Sequence, residues 1–290
     1  MRQASRSDEA APGVSVNHSS VSDHYACGHL VDAIRDGVMQ MGKTTSNVTI
    51  DDLAPVDEFH IGGRGATEHL IRQLQPSTVD HFLDVGSGLG GAARFVADRY
   101  RCRVTGIDLT RAYVEAGNTL CAWVGLRDRV TLLCGNALSV PFADCTFSGA
   151  YMLHVGMNIA NKTGLFSELA RVLRPGARLG VYDVVRTADG ALNYPLPWAT
   201  ADDTNCIAPP DDYRHALNAA GFEVLAEQSR RDVALAHFNQ QRSQGSAANG
   251  PAPLGLHTLM GERRPAQVRN MLEGISTGRV APFEFIARKQ

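Results

Sequence analysis

The 290-residue chain is predicted to be an α/β protein built on a Rossmann-like, doubly wound, mostly parallel sheet. Two observations predict it. Strand-like runs alternate with stretches of helical apolar spacing between residues 80 and 185, as successive βαβ units require. The first of these strands, HFLDV, runs directly into the glycine cluster GSGLGG (residues 86–91), as a strand does when the turn after it must pass close to something.

The elements follow in order. Residues 1–20 are rich in Ser, Ala and charge without periodicity, so a flexible leader is expected. Residues 21–75 form an expected helical lid, with helical spacing in HLVDAIRDGVMQMG (29–42) and ATEHLIRQL (66–74). DDLAPVDEFHIGGRG, with Pro55 and three glycines, is read as the connection between them. The core is expected over 76–290, with insertions at about 188–210 and 232–278. Its strands are expected at 80–85, 103–108, 129–134, 147–153, 178–185, 222–229 and 282–288. GAARFVADRY, RAYVEAGNTLCAWVG, KTGLFSELARVL and DDYRHALNAAGF supply the helices, and RPGAR marks a turn before the fifth strand. NQQRSQGSAANGPAP (239–253) is polar and turn-rich and reads as a surface loop.

Composition narrows the function. The formal net charge of -2 gives no basic footprint, so no nucleic-acid partner is expected. No apolar run approaches the roughly 18 residues that cross a bilayer, and no apolar leader precedes the lid, so the expected location is the cytoplasm, with no membrane partner. The six cysteines are scattered and no two are separated by two residues. Reduced, mostly buried thiols and no metal site are expected. Self-association as a homodimer is left open.

Gly86, Gly88 and Gly91 fit the dinucleotide pattern G-x-G-x-x-G, which alone leaves a dehydrogenase, a nucleotide-binding module and a tight turn open. Three residues shift the balance. Asp84, two residues before the first glycine, is a carboxylate that is costly to bury without a donor; a cationic ligand such as an amino-acid ammonium would supply one. Asp108 in VTGIDLT lies about 20 residues on, where an acid reaches ribose hydroxyls. Asn136 in CGNALSVPF can accept from an adenine amine, and the Ala137 amide can donate to a ring nitrogen.

Together LDVGSGLGG, GIDLT, GNALSVPF and LRPG, covering roughly residues 82–185, resemble the class I S-adenosylmethionine-dependent methyltransferases. The resemblance implies seven strands with a reversed last one, for which APFEFIAR (281–288) is suited. It implies S-adenosyl-L-methionine as cofactor, held by His60, Ile61, Asp84, Gly86, Ser87, Gly88, Gly90, Asp108, Leu109, Asn136, Ala137 and His154. FHIGGRGATEHL is similar to the segment before the core in methyltransferases acting on phosphoethanolamine, glycine or sarcosine. That similarity implies Arg64 as a partner for a carboxylate, and a Tyr25–His154 pair as the catalytic groups. The departure is the fourth strand, which reads AYML where the phosphoethanolamine enzymes carry an acid.

The acceptor is expected to be a small molecule touched by Tyr25, Arg64, Met157, Trp198 and His257, with Tyr194 beside Trp198 as a second aromatic face for a methylated ammonium. An amine such as sarcosine or dimethylglycine is the first expectation. O- or C-methylation of a quinone, isoprenoid or other natural product is the alternative, and a catalytically silent cofactor-binding protein the third.

Overall fold

The computed structural model describes residues 30–245, 252–260 and 263–290. Tyr25 and the leader lie outside the described residues. Seven strands form one sheet in the order β3-β2-β1-β4-β5-β7-β6: β1 (His81–Val85), β2 (Arg103–Asp108), β3 (Val130–Cys134), β4 (Phe147–Leu153), β5 (Leu173–Arg186), β6 (Phe222–Ser229) and β7 (Val280–Lys289). The pairings from β3 to β5 are parallel, and β7 runs antiparallel to both β5 and β6. The expected doubly wound sheet with a reversed last strand is what forms.

The helices are α1 (Leu30–Gln40), α2 (Ile50–Asp57), α3 (Gly63–Leu74), α4 (Gly91–Tyr100), α5 (Arg111–Trp123), α6 (Lys162–Val172), α7 (Pro210–Ala219), α8 (Arg231–Gly245), α9 (His257–Met260) and α10 (Arg264–Ser276). In α3, Thr67, Leu70, Ile71 and Leu74 fall on one stripe and are buried. Leu70 and Leu74 lie over Gly180 of β5, where an added Cβ would approach both at 3.1 Å. Truncating Leu70, which is fully buried, is expected to cost roughly 2–5 kcal/mol.

Four expectations are corrected. The segment read as a connection contains α2, because Thr49 and Asp52 form a capping box and Leu53 and Val56 bury one face. Those gains outweigh the penalty of Pro55 inside the helix. RPGAR interrupts β5 rather than preceding it: pairing steps from Phe147↔Leu173 to Gly149↔Arg178, so the turn residues are extra to the ladder. The 232–278 insertion is largely helical, and α8 takes the first half of the stretch read as a loop. Periodicity hid α10 because Gln267 and Asn270 occupy buried positions. Their amides donate to the carbonyls of Leu196 and Pro195, holding the loop after β5. Cys134 and Cys145 are exposed rather than buried, Cys134 because β3 is a sheet edge.

β1 is flanked by β2 on one side and β4 on the other, and the chain winds outward from it in both directions. Loops at the carboxyl ends of β1 and β4 therefore diverge, opening a crevice at the switch point. Among the described residues, no helix is long and apolar enough to cross a membrane.

Candidate active site at the switch point

A cavity of about 1100 Å³ occupies this crevice. Its floor comes from the loops after β1, β2, β3 and β4, and its roof from the α2–α3 segment and from residues 255–271. That exceeds the upper end of ordinary single-ligand clefts, about 1,000 Å³, so it has room for a cofactor and a second molecule.

The glycine turn forms one wall. Gly86 must be glycine because an added Cβ would collide with the Val155 side chain. Gly88 has φ +53 and open space where a Cβ would stand, so it presents bare backbone to the cavity. Its amide donates to Asp108 Oδ2 at 2.8 Å, while Asp108 Oδ1 accepts the Thr110 amide at 2.8 Å. Burial pushes the Asp108 carboxyl up against these two donors. The turn at β1 and the turn at β2 are thus fastened by one carboxylate.

Asp84 is buried at the floor, and burial pushes its carboxyl up to about 8. Tyr151 donates its hydroxyl to Oδ2 at 3.1 Å, which opposes that shift. Ser87, Leu109, Asn136 and Ala137 complete this half of the lining. Asn136 Oδ1 accepts the Leu138 amide at 2.9 Å, so the side chain folds into an Asx turn with Nδ2 and one lone pair left over.

The other half is where an acceptor has room. Ile61 and Met157 are buried in its wall, and Trp198 lies beside them with its indole donating to Asn205 Oδ1 at 3.0 Å. His60 and His154 meet here, ring centroids 5.9 Å apart, with Tyr182 5.2 Å from His154. His154 holds a left-handed φ of 59, and its Nε2 is buried with no partner among the described residues. Burial, helped by His60, pushes its pKa well down.

Several expected residues are placed differently. Gly90 stands outside the lining and instead lets Leu132 pack close, 2.7 Å from where a Cβ would be. His257 also lies outside the lining, and its neighbours Leu256, Leu259 and Met260 take its place. Tyr194 does too, its hydroxyl donating to Asp202 at 2.7 Å, so no second aromatic face joins Trp198 from that loop. Arg64 is in the wall as expected: its Nε donates to Glu58 at 2.5 Å, Nη1 to Asp51 at 3.2 Å, the guanidinium lies over Phe95, and Nη2 has no hydrogen-bond partner among the described residues. The Tyr25 half of the proposed catalytic pair lies outside the described residues.

The sequence reading missed three participants. Asp57 lines the cavity and forms a fully buried ion pair with Arg94 of α4 at 2.5 Å; burial pushes Asp57 up to about 6 despite its partner. Glu58, buried beside it, binds Arg64 and Thr67. Tyr151 was passed over as an ordinary strand residue. A tyrosine in a strand with no exposed face needs a hydroxyl partner, and that signal was available.

Residues 83–181 match the family model of a methyltransferase domain. The matched stretch runs from β1 into β5 and holds every floor loop of the cavity. Among curated proteins, the chain is 31% identical to the O-methyltransferase resE of Aspergillus sclerotiorum over 58% of this chain and 65% of that one. It is 32% identical to the sterol 24-C-methyltransferase of Eremothecium gossypii, over 57% of this chain and 46% of that one. The chain spans less than two thirds of the length of the first curated relatives it matches. Among solved structures, geranyl diphosphate C-methyltransferase from Streptomyces coelicolor A3(2) superposes with a TM-score of 0.69 at 17% identity, covering 96% of this chain and all (100%) of that one. Phosphoethanolamine N-methyltransferase 2 of Haemonchus contortus gives 0.63 at 16% identity, over 88% and 59%. At these identities the likeness is one of fold.

The lining of this crevice fits S-adenosylmethionine on its own chemistry. Bare backbone at Gly88 admits a ligand close to the turn, and Asp108 beside it can accept ribose hydroxyls. Asp84 is a buried carboxyl with a single side-chain donor, suited to a ligand ammonium.

Proposed function

We propose that this protein transfers a methyl group from S-adenosylmethionine to an apolar small molecule. The observation that carries the acceptor class is the second half of the cavity, walled by Met157, Ile159, Trp198, Phe238, Leu259 and Met271. Burying an apolar body there is favourable by roughly 2–3 kcal/mol per 100 Å². An amino-acid acceptor such as sarcosine needs a cation for its carboxylate. Arg64 has its charge balanced by Glu58 and Asp51, although its Nη2 has no hydrogen-bond partner among the described residues, Lys162 spends its ammonium on the carbonyls of Gly156, Ile159 and Cys206, and Arg264 is an exposed lining residue. The relatives point the same way, since they are named as O-methyltransferases and a sterol C-methyltransferase.

When bound, the cofactor supplies a methyl group already activated by its sulfonium. The chain's part is placement and exclusion of water. Asp84 holds the ammonium, Asp108 the ribose, and Asn136 with the Ala137 amide the adenine. The 255–260 segment closes the roof, with Leu254 packed against Gly37 of α1.

The test is formation of S-adenosylhomocysteine, read by mass spectrometry, with two acceptor sets offered separately. Prenylated hydroquinones and phenols form one; sarcosine, dimethylglycine and phosphoethanolamine form the other. Turnover on the first set is expected. Turnover confined to the amines, or to neither set, overturns the acceptor class.

A further inference from the structure

We infer that His60 takes the proton from the methyl acceptor through its Nδ1, and that Glu58 and Thr67 are the residues that position it; this rests on the methyl-transfer reading above. His60 sits on the turn between α2 and α3 and lines the cavity. Its Nε2 lies 3.1 Å from the Gly63 carbonyl oxygen and 3.1 Å from Thr67 Oγ1. A carbonyl oxygen can only accept, so Nε2 carries the ring hydrogen. Thr67 agrees: its one hydroxyl hydrogen goes to Glu58 Oε2 at 2.7 Å, which turns an oxygen lone pair toward Nε2–H. Glu58 is fixed in turn by Arg64 Nε at 2.5 Å.

The tautomer follows. With Nε2 protonated and the ring neutral, Nδ1 holds a lone pair. The groups facing the ring are Glu58 at the end of α2, Arg64 and Thr67 of α3, His154 after β4, Tyr182 of β5 and His237 of α8. Burial is the largest influence and pushes the pKa below the usual histidine value, with Glu58 opposing it, so the lone pair is present at neutral pH. Glu58 Oε2 also lies 3.6 Å from Nε2. Its charge matters most once Nδ1 has taken a proton and the ring is cationic, which is the condition for stabilising the transition state more than the ground state.

His154 lacks this support. Among the described residues its Nε2 has no partner and no carboxylate stands beside it, so an imidazolium there would be an unpaired buried charge. The resemblance to the phosphoethanolamine enzymes implies His154, paired with Tyr25. The hydrogen-bond pattern favours His60.

The step balances as follows. A lone pair on the acceptor oxygen forms the new bond to the methyl carbon, the carbon–sulfur bonding pair stays on sulfur, and the hydroxyl proton passes to Nδ1 of His60. The nucleophile this arrangement suits is a hydroxyl oxygen on an apolar scaffold.

The experiment is ¹⁵N nuclear magnetic resonance on the full chain labelled at histidine nitrogens, at neutral pH and saturated with S-adenosylhomocysteine. His60, assigned from His60→Gln, is expected as the neutral tautomer with hydrogen on Nε2. Hydrogen on Nδ1, or an imidazolium, overturns the proposal. Glu58→Gln is expected to shift protonation of His60 to lower pH; no shift overturns the positioning role. With a prenylated hydroquinone as acceptor, His60→Gln should lower kcat by at least 100-fold, and Glu58→Gln by about 10-fold. A kcat within twofold of wild type for His60→Gln also overturns it. Failure of the wild-type chain to bind S-adenosylhomocysteine refutes the methyl-transfer reading instead, and the two failures are distinct.

Discussion

The Tyr151 hydroxyl donates to Asp84 Oδ2 at 3.1 Å, and the two residues are register partners on adjacent parallel strands β4 and β1. Burial pushes the Asp84 carboxyl up to about 8 and Tyr151 is its one side-chain donor among the described residues, so it is largely protonated at pH 7. An incoming ammonium draws it back to the carboxylate. Binding of S-adenosylhomocysteine should therefore release close to one proton at pH 7, whereas methylthioadenosine, which lacks the amino-acid part, should release none. Calorimetry in buffers of different ionisation enthalpy measures the count, and equal counts for the two ligands would contradict the role of Asp84. Asp84→Asn should weaken S-adenosylhomocysteine roughly 10- to 100-fold, the range of one hydrogen bond to a charged group, and leave methylthioadenosine unchanged.

The same carboxyl has a stability consequence in the unligated protein. Its folded pKa lies above its unfolded value, so between about pH 4 and pH 8 the unfolded chain has lost a proton that the folded one keeps. Stability then falls as pH rises through that window. Asp84→Asn removes the effect, so its melting temperature relative to wild type should climb from pH 5 to pH 8. A flat or falling difference would show that Asp84 is not held protonated.

Asp108 joins the turns after β1 and β2 by accepting the Gly88 and Thr110 amides. Gly88→Ala places a methyl group in open space at a left-handed φ, so it should cost roughly 1–2 kcal/mol of stability and also weaken cofactor binding, since the methyl stands in the cradle. Asp108→Ala should reduce S-adenosylhomocysteine affinity by roughly 10-fold or more. Wild-type affinity in a titration of the Asp108 variant would remove it from the ribose.

Arg94 and Asp57 behave differently, as a buried pair behind the site. Arg94 also donates to the Leu89 carbonyl at 2.7 Å, and so ties α4 to the glycine turn. Arg94→Met leaves the Asp57 carboxylate alone and should destabilise by roughly 3–5 kcal/mol, read by urea denaturation. A loss under 1 kcal/mol would mean the pair is not formed.

Much of this was legible in the sequence because it rests on local signals. Alternating strands and helices gave the sheet, and the glycines after HFLDV with Asp84 and Asp108 gave the floor of the cavity. The rest depends on distant contacts. Arg94 looks like a solvated helix residue until Asp57, 37 positions earlier, is brought against it. His60 looks like one residue of a turn until Gly63 and Thr67 fix its hydrogen. Helix α10 hides because Gln267 and Asn270 face inward to hold backbone carbonyls, which breaks the apolar period.

The roof is an instance of the same kind. Gly37 of α1 lies against Leu254, and a Cβ at Gly37 would overlap the Leu254 side chain. Gly37→Val should separate α1 from the 255–260 segment and raise the acceptor KM several-fold, with cofactor affinity changed less. An unchanged KM would show that this contact does not shape the acceptor chamber.

The proposed methyl transfer requires that the crevice between β1 and β4 hold S-adenosylmethionine. The most direct measurement is titration calorimetry of the purified chain with S-adenosylhomocysteine and, separately, with NAD. Saturable binding of one S-adenosylhomocysteine per chain, weakened in Asp108→Ala, with no heat from NAD, is the predicted result. Binding of NAD, or no binding of S-adenosylhomocysteine, would contradict the assignment of the glycine turn and everything built on it.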